Sequence, residues 1–470
     1  MTDTGAFKAN LNALVGLQRS AYWREGFPTL QTRLGRLQRT AALLAGNRDG
    51  LAKALSEDFG HRSHDDTRME LLGALGALRH AATNLESWLQ PEQYTPMTPD
   101  AGARVEYTPL GVVGIIGPWN YPIVTVFGPL AGILAAGNRA IIKPSELTLA
   151  TSDLLARLVA DQFDPSEVSV VQGAAEEGEV FAASDLDHII FTGSATVAKQ
   201  VMRAAANNLT PVTLELGGKS PAIVTETFDL AEAAKRIMAV KTRNAGQVCL
   251  APDYALVPRA FERDFAMACV AAVGQMFPQG INSAEYTSII SDKHYHRLEA
   301  IVADARANGA EVIEALPASN ATDARRLVPT LLLDVNDDML AMRDEIFGPV
   351  LPIVGYNHLD EAVAYIRSRP HPLGLFYFGA DDRQGRAVLD GTASGGVTIN
   401  DVMVHMFGAD MPFGGVGASG MGCYFGKAGF QTFSHARAIY RQSDSQEAAE
   451  IFRPPYGGRL QQVLEAAIAQ

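Results

Sequence analysis

The stretch HIIFTGSATVAKQV, His188 to Val201, decides the fold class. Its apolar start reads as a strand ending at Thr192. Gly193 permits a sharp turn, Ser194 stands where a helix cap belongs, and ATVAKQVMRAAAN continues with helical spacing. A strand that feeds a helix this way leaves the first helical N–H groups open to a phosphate. The alternation extends in both directions. Upstream, RAIIKPSE reads as a strand ending at Lys143, Ser152 to Ala160 as a helix and VSVVQG as a strand; downstream, TPVTLELGG is a strand again. A second alternating block runs from about Lys219 to Val404. Helices are expected there at 231–240 and 294–308, and buried strands in LVPTLLLDV and GVTIND. Strands alternating with helices predict an α/β protein with doubly wound sheets.

The flanks differ. Leu34, Leu37, Ala41 and Leu44 recur at three- and four-residue steps, as one helical face does, and MELLGALGALRHAATNLESWL repeats the pattern from Met69. Pro91, Pro96 and Pro99 end this helical region. RVEYTPLGVVGII has strand character, and its Thr108-Pro109 step predicts an edge strand that bends. ARAIYRQ reads as a further strand. The tail carries Pro454-Pro455 and the short amphipathic RLQQVLEAAIAQ.

The 470 residues suffice for two or three domains, and the net charge of −13 without a basic block speaks against a nucleic-acid partner. The run from Leu110 to Asn138 is free of charge, but Pro118, Asn120, Pro122 and Pro129 break it, so it is not expected to span a membrane. The N-terminal MTDTGAFKANLNALVGLQRSAYW lacks a signal-peptide apolar run. The three cysteines, Cys249, Cys269 and Cys423, are far apart and form no C-x-x-C. A reducing, cytoplasmic setting is expected, with neither a disulfide framework nor a zinc site. His294 and His296 are two apart and cannot share a helix face as metal ligands; no metal is expected.

Cys249 lies in NAGQVCLAPDY, among turn formers and a polar side chain, where a thiol can be reached and ionised; a free thiol titrates near roughly 8.5. Cys269, in FERDFAMACVAAV, has the apolar helical setting of a buried structural cysteine. Glu215 ends an apolar strand before two glycines, as a general base or as a strand-end carboxylate paired to Lys219. Asn120, between two prolines in GPWNYP, suits an oxyanion donor or an Asx turn. Glu345, in DEIFGP, stands at a turn. Lys143 and Glu146, at the end of IIKPSE, could bind ribose hydroxyls, since ligands of open parallel sheets collect at strand ends. The only literal G-x-G-x-x-G, Gly415, Gly417 and Gly420, lacks the strand before and the helix after it, so it reads as a structured loop.

Taken in order, GPWNYP, IIKPSE, FTGS, LELGGKSP, NAGQVC, DEIFGP and PFGGVGASG resemble the signature series of the aldehyde dehydrogenase superfamily, from about Arg104 to Phe433. CLAPDY after Gln247-Val248 resembles its short, class-three-like branch, with the coniferyl-aldehyde dehydrogenases. The resemblance implies a Rossmann-like cofactor domain (1–95 and 113–216), an α/β catalytic thiol domain (217–403), and a small β oligomerisation arm with a C-terminal tail (96–112 and 430–470). It implies Cys249 as nucleophile, Glu215 as general base and Asn120 as oxyanion donor. Lys143 and Glu146 would hold the adenosine ribose. Trp119, Gly193 and Ser194 would approach the pyrophosphate, Glu345 the nicotinamide ribose, and Phe347 the ring. One departure is Ala198, where many members carry a second glycine. The implied reaction is NAD(P)-dependent oxidation of an aldehyde to the acid, in a homodimer. Tyr121, Tyr254, His405 and Phe407 could line an aromatic tunnel for arylaldehydes such as coniferyl aldehyde or for medium-chain aliphatic ones. Glu146 should repel a 2′-phosphate and favour NAD over NADP. The alternatives are a thiol esterase or a CoA-acylating dehydrogenase, against which Glu215 speaks, and a non-catalytic binding protein on the same fold.

Overall fold

The computed structural model describes residues 4–96, 100–317, 325–444 and 453–469. Pro99 of the expected helix stop and residues 445–452 of the tail lie outside them.

Four helices open the chain, Thr4–Glu25, Leu30–Gly46, Arg48–Phe59 and His64–Trp88. The apolar stripe of the second turns inward as its spacing requires. Leu37 and Leu44 are buried, and Leu34 and Ala41 pack against them in the main core. Helix His64–Trp88 lies along helix Val124–Ala136, every residue of which is buried. This accounts for the uncharged run from Leu110 to Asn138. It holds a strand, a loop and a core helix with Pro129 inside, and each buried Leu or Ile of that helix stabilises the fold by about 1.5–3 kcal/mol. No helix among the described residues is long and apolar enough to cross a membrane.

Strands among the described residues form three sheets. The first runs in the order Gly420–Met421, Val212–Glu215, His188–Thr192, Val112–Ile116, Arg139–Lys143, Val168–Val170. All its pairs are parallel save the first. Val112–Ile116 pairs on one side with the next strand in sequence and on the other with a later one, so the order reverses there. Its C-terminal end is therefore a topological switch point, where such sheets bind ligands. The register puts Ile116 beside Lys143 and Phe191, and Thr192 beside Glu215. The chain leaves this edge into Trp119 and Asn120, so the candidate residues on these strands converge at one end of the sheet.

The second sheet runs Glu311–Glu314, Thr330–Leu333, Val350–Tyr356, Tyr254–Pro258, Pro221–Val224, Gly374–Phe378, Gly396–Ile399. It is parallel except at Glu311–Glu314. The third is antiparallel, with Gly102–Pro109 between Glu92–Tyr94 and Ser434–Arg441. Two expectations are corrected here. Gly102–Pro109 is the central strand, not an edge; Pro109 is its last residue, so the missing N–H falls at the end of the ladder. The run RVEYTPLGVVGII is two strands of different sheets, parted at Leu110-Gly111. Asn138 accepts both of those backbone N–H groups, at 2.7 and 2.9 Å.

Candidate active site

A cavity of about 620 Å³ opens at the switch point. Trp119, Asn120, Gly193, Ser194, Glu215, Cys249, Glu345 and Phe347 all line it. The structure thus brings together residues spread over more than 200 positions of sequence. Lys143 and Glu146 stand apart from the cavity wall, at the neighbouring strand end. Their charges are 3.8 Å apart, with Lys143 buried and Glu146 exposed.

Cys249 follows a tight turn. Asn244 and Ala245 take left-handed conformations, with φ of 47° and 52°, which costs about 1–3 kcal/mol for each such residue. A dense hydrogen-bond set offsets the cost. The Asn244 N–H donates to Asp66 at 3.0 Å, and the Gln247 amide donates to the Asn244 and Ser288 carbonyls at 2.8 and 3.1 Å. The turn presents the thiol to the cavity, with the Cys249 N–H within hydrogen-bond reach of it.

Glu215 is 1% exposed and sits within hydrogen-bond reach of the Cys249 thiol. Its Oε2 accepts the Tyr424 hydroxyl at 3.0 Å, while Oε1 has no protein partner. Burial raises its pKa, against the opposing effect of nearby Cys249, Tyr424 and Thr192. Burial also raises the Cys249 thiol well above its ordinary value, and the Glu215 charge adds to this. Burial thus opposes ionisation of both groups.

The Gly-rich PFGGVGASG stretch explains how Glu215 is held. Gly420 pairs with Glu215, and a Cβ on Gly420 would lie 2.0 Å from the Leu214 carbonyl oxygen, so only glycine fits. The segment is thus an edge of the first sheet that brings Tyr424 to the carboxylate. Asn120 is buried; one amide N–H donates to the Gln247 carbonyl at 3.2 Å, leaving the second for a substrate oxygen. Its backbone is anchored from below. Arg62 donates to the Asn120 carbonyl at 2.8 Å and pairs with Glu70 at 2.9 Å, both side chains fully buried. Glu70 also accepts the N–H groups of Ile123 and Val124 at 2.5 and 3.1 Å.

Glu345 reaches the cavity because Gly217 has no side chain: a Cβ there would fall 2.2–2.3 Å from the carboxylate oxygens. Burial, then the neighbouring Asp253, pushes its pKa up to about 8. The Lys219–Asp253 pair holds this loop, Asp253 accepting the Ile346 N–H at 2.9 Å. Trp119 meets Phe347 edge-on at 5.4 Å and His294 at 5.1 Å. Ser194 caps the helix Ala195–Ala205, accepting the Val197 N–H at 3.4 Å, and the start of that helix is exposed.

Of the four aromatic tunnel candidates, Tyr121 and Phe407 line the cavity, and Tyr254 and His405 do not. Tyr254 is 1% exposed and packs with Ile223, Leu256 and Tyr365 in a separate core. A strand alternates its side chains, and Tyr254 falls on the face away from the cavity. His405 turns inward to Thr398, Nδ1 to Oγ1 2.7 Å. Arg62, Asp66, Glu70, Arg243, Tyr424 and the cavity role of His294 escaped the sequence reading. The acidic residues lie on an amphipathic helix where a carboxylate looks like solvated surface; only their pairing across distant segments marks them.

This is the thiol–carboxylate site of an α/β oxidoreductase, and the chain belongs to the aldehyde dehydrogenase family, which it matches over residues 18–439. It is 46% identical over 463 residues to a coniferyl aldehyde dehydrogenase of a Pseudomonas species, covering 98% of this chain and 96% of that one. It superposes on a substrate-bound AldH of Staphylococcus aureus with a TM-score of 0.90 at 35% identity, over 97% of this chain and 99% of the other. A betaine aldehyde dehydrogenase from Staphylococcus aureus in complex with NAD+ aligns with a TM-score of 0.82 at 26% identity, over 93% and 88%.

Proposed function

We propose that the protein oxidises an arylaldehyde of the coniferyl type to its carboxylic acid with NAD, through a thiohemiacetal and then a thioester on Cys249. The observation that carries this is the Cys249 thiol within hydrogen-bond reach of a buried carboxylate, at a cavity that Asn120 and Glu345 also enter. The likeness to a coniferyl aldehyde dehydrogenase and the largely apolar wall, with Tyr121, Phe407 and Phe413, favour an aromatic substrate over a small polar one.

The donor set fits the cofactor. The exposed start of helix Ala195–Ala205 suits a pyrophosphate, with Gly193 and Ser194 at the turn and Trp119 alongside. Lys143 and Glu146 suit the adenosine ribose. Glu345, in the gap that Gly217 leaves, suits the nicotinamide ribose, with Phe347 beside the ring. Glu146 disfavours a 2′-phosphate, so NAD is the first cofactor and NADP the second. Bound NAD supplies the hydride acceptor.

The chain's own residues do the rest. Glu215 takes the proton of the Cys249 thiol, and the sulfur adds to the carbonyl carbon. The second Asn120 N–H and the Cys249 N–H face the developing oxyanion; one such donor contributes about 3 kcal/mol. After oxidation the acyl group remains on sulfur. Once Glu215 has released the first proton to solvent it takes one from a water, the water oxygen bonds to the acyl carbon, and the C–S bond breaks as Glu215 returns its proton to the sulfur, giving acid and thiol. We assign the sheet of residues 112–215 to a cofactor domain, that of 221–399 to a thiol domain, and the three-stranded sheet to an oligomerisation arm of a homodimer.

The test is a panel of coniferyl aldehyde, cinnamaldehyde and hexanal with each nicotinamide, measuring reduced cofactor and acid together. Equal yields, highest for the aromatic aldehydes with NAD, are expected. Acid formed from esters alone, without cofactor reduction, would replace this reading by a thiol hydrolase.

A further inference from the structure

The cavity has one polar feature that the chemistry above does not use. Arg243, at the start of the thiol loop, lines it and is half-buried. A guanidinium carries five N–H donors. Among the described residues its side chain makes no ion pair within 4 Å, and its one hydrogen bond is Nη1 to the Met403 sulfur at 3.7 Å, a weak acceptor. Asp66 is close enough for the Arg243 charge to favour its ionised form, but Asp66 Oδ2 is taken by the Asn244 N–H and the Thr287 hydroxyl. Arg62, which would otherwise compete, is committed to Glu70 and the Asn120 carbonyl.

A second unsatisfied group shares this wall. Tyr121 also lines the cavity, and its wholly buried hydroxyl has no hydrogen-bond partner. Arg243 and Tyr121 line the same cavity. A buried polar group without a partner costs about 1–3 kcal/mol. The Tyr121 hydroxyl is one such group, and the half-buried Arg243 guanidinium, in an otherwise apolar wall with Met403 and Met406, marks a place where an incoming oxygen gains more than a hydrocarbon does.

We propose that Arg243 forms the recognition point for a phenolic or carboxylate oxygen carried by the aldehyde away from its carbonyl. The site then selects oxygen-bearing arylaldehydes over their unsubstituted counterparts. This rests on the aldehyde-oxidising reading and adds to it which ring substituent is read, and by which residue. An oxygen acceptor receives charge-assisted hydrogen bonds from the guanidinium; an unsubstituted ring leaves it with only the weak Met403 sulfur contact. Sites built to bond a substrate's polar group discriminate strongly against analogues that lack it.

The experiment compares wild type with R243M and R243K on coniferyl aldehyde, 4-carboxybenzaldehyde, cinnamaldehyde and benzaldehyde. The readout is the ratio of kcat/KM between each oxygen-bearing aldehyde and its bare partner. R243M is expected to lower that ratio by about 10- to 100-fold, chiefly through KM, and R243K to restore part of it. Binding of coniferyl alcohol and cinnamyl alcohol, followed by calorimetry, reads the same preference without turnover and without a carboxylate on either: R243M should weaken coniferyl alcohol and not cinnamyl alcohol. An unchanged ratio in R243M, or equal loss on all four aldehydes with equal weakening of both alcohols, overturns the proposal. If wild type reduces no cofactor with any aldehyde yet still prefers coniferyl alcohol by an Arg243-dependent margin, the oxidation reading fails and the recognition point stands.

Discussion

Cys249 in the resting protein is a protonated thiol, since burial and the Glu215 charge both oppose its ionisation. The reaction therefore depends on a proton that Glu215 must accept, and pH dependence follows. As the proposed base Glu215 works only as a carboxylate, and its pKa is raised by burial. Activity should fall as pH drops through that raised value, at a pH above the ordinary glutamate value of about 4.3. A kcat profile flat down to pH 4.5 would contradict this. E215Q should give one burst of reduced cofactor and then stall with an acyl group on Cys249, visible by mass measurement; full steady turnover would remove Glu215 from the base role. C249S should lose oxidation while still binding NAD, as followed by fluorescence. Tyr424 donates to Glu215 and so favours its ionised form. Y424F should move the acid limb to higher pH by up to about one unit, the worth of a hydrogen bond of roughly 0.5–1.5 kcal/mol. An unmoved limb would mean that the Tyr424 bond does not tune the base.

At the scale of elements, the site depends on helix His64–Trp88, which carries no motif. From it Glu70 ties down the loop after Asn120, and Asp66 holds the turn before Cys249. The Arg62–Glu70 pair is fully buried. Removing one partner leaves a charge without compensation and should cost about 3–5 kcal/mol, so E70Q should unfold at clearly lower denaturant. The double variant R62M/E70L removes both charges and should recover much of that stability. It should not recover kcat, because the Asn120 carbonyl and the Ile123 and Val124 N–H groups lose their anchors. A double variant with both wild-type stability and wild-type kcat would show the pair to be dispensable for positioning.

Across the whole molecule, the three-stranded antiparallel sheet is set apart in sequence from the two large parallel sheets. Ser434–Arg441 stands at its edge, with mostly exposed residues. Edges of this kind recruit further chains. We expect light scattering to give a mass near twice the 50.3 kDa of one chain. A mass of one chain at micromolar concentration would exclude the dimer.

The alternation of apolar runs and helical periods was enough to assign an α/β fold, because strand and helix periods are local properties of the chain. Cys249, Glu215, Asn120 and Glu345 were legible for a related reason: each stands in a turn motif whose glycines or prolines betray an unusual backbone. What needed the tertiary structure was everything set by which face of an element meets which neighbour. The sequence made Tyr254 and His405 candidates by composition, and the fold turned them away: Tyr254 by the face of its strand, His405 by its bond to Thr398. It made Gly102–Pro109 an edge by its proline, and the arm placed it in the middle. It gave no sign of Glu70 or Tyr424, because a buried polar group is defined by partners that lie many residues distant, nor of Arg243, which only the fold brings to the cavity wall. Folding creates those partners, and with them the buried setting in which Cys249 and Glu215 meet.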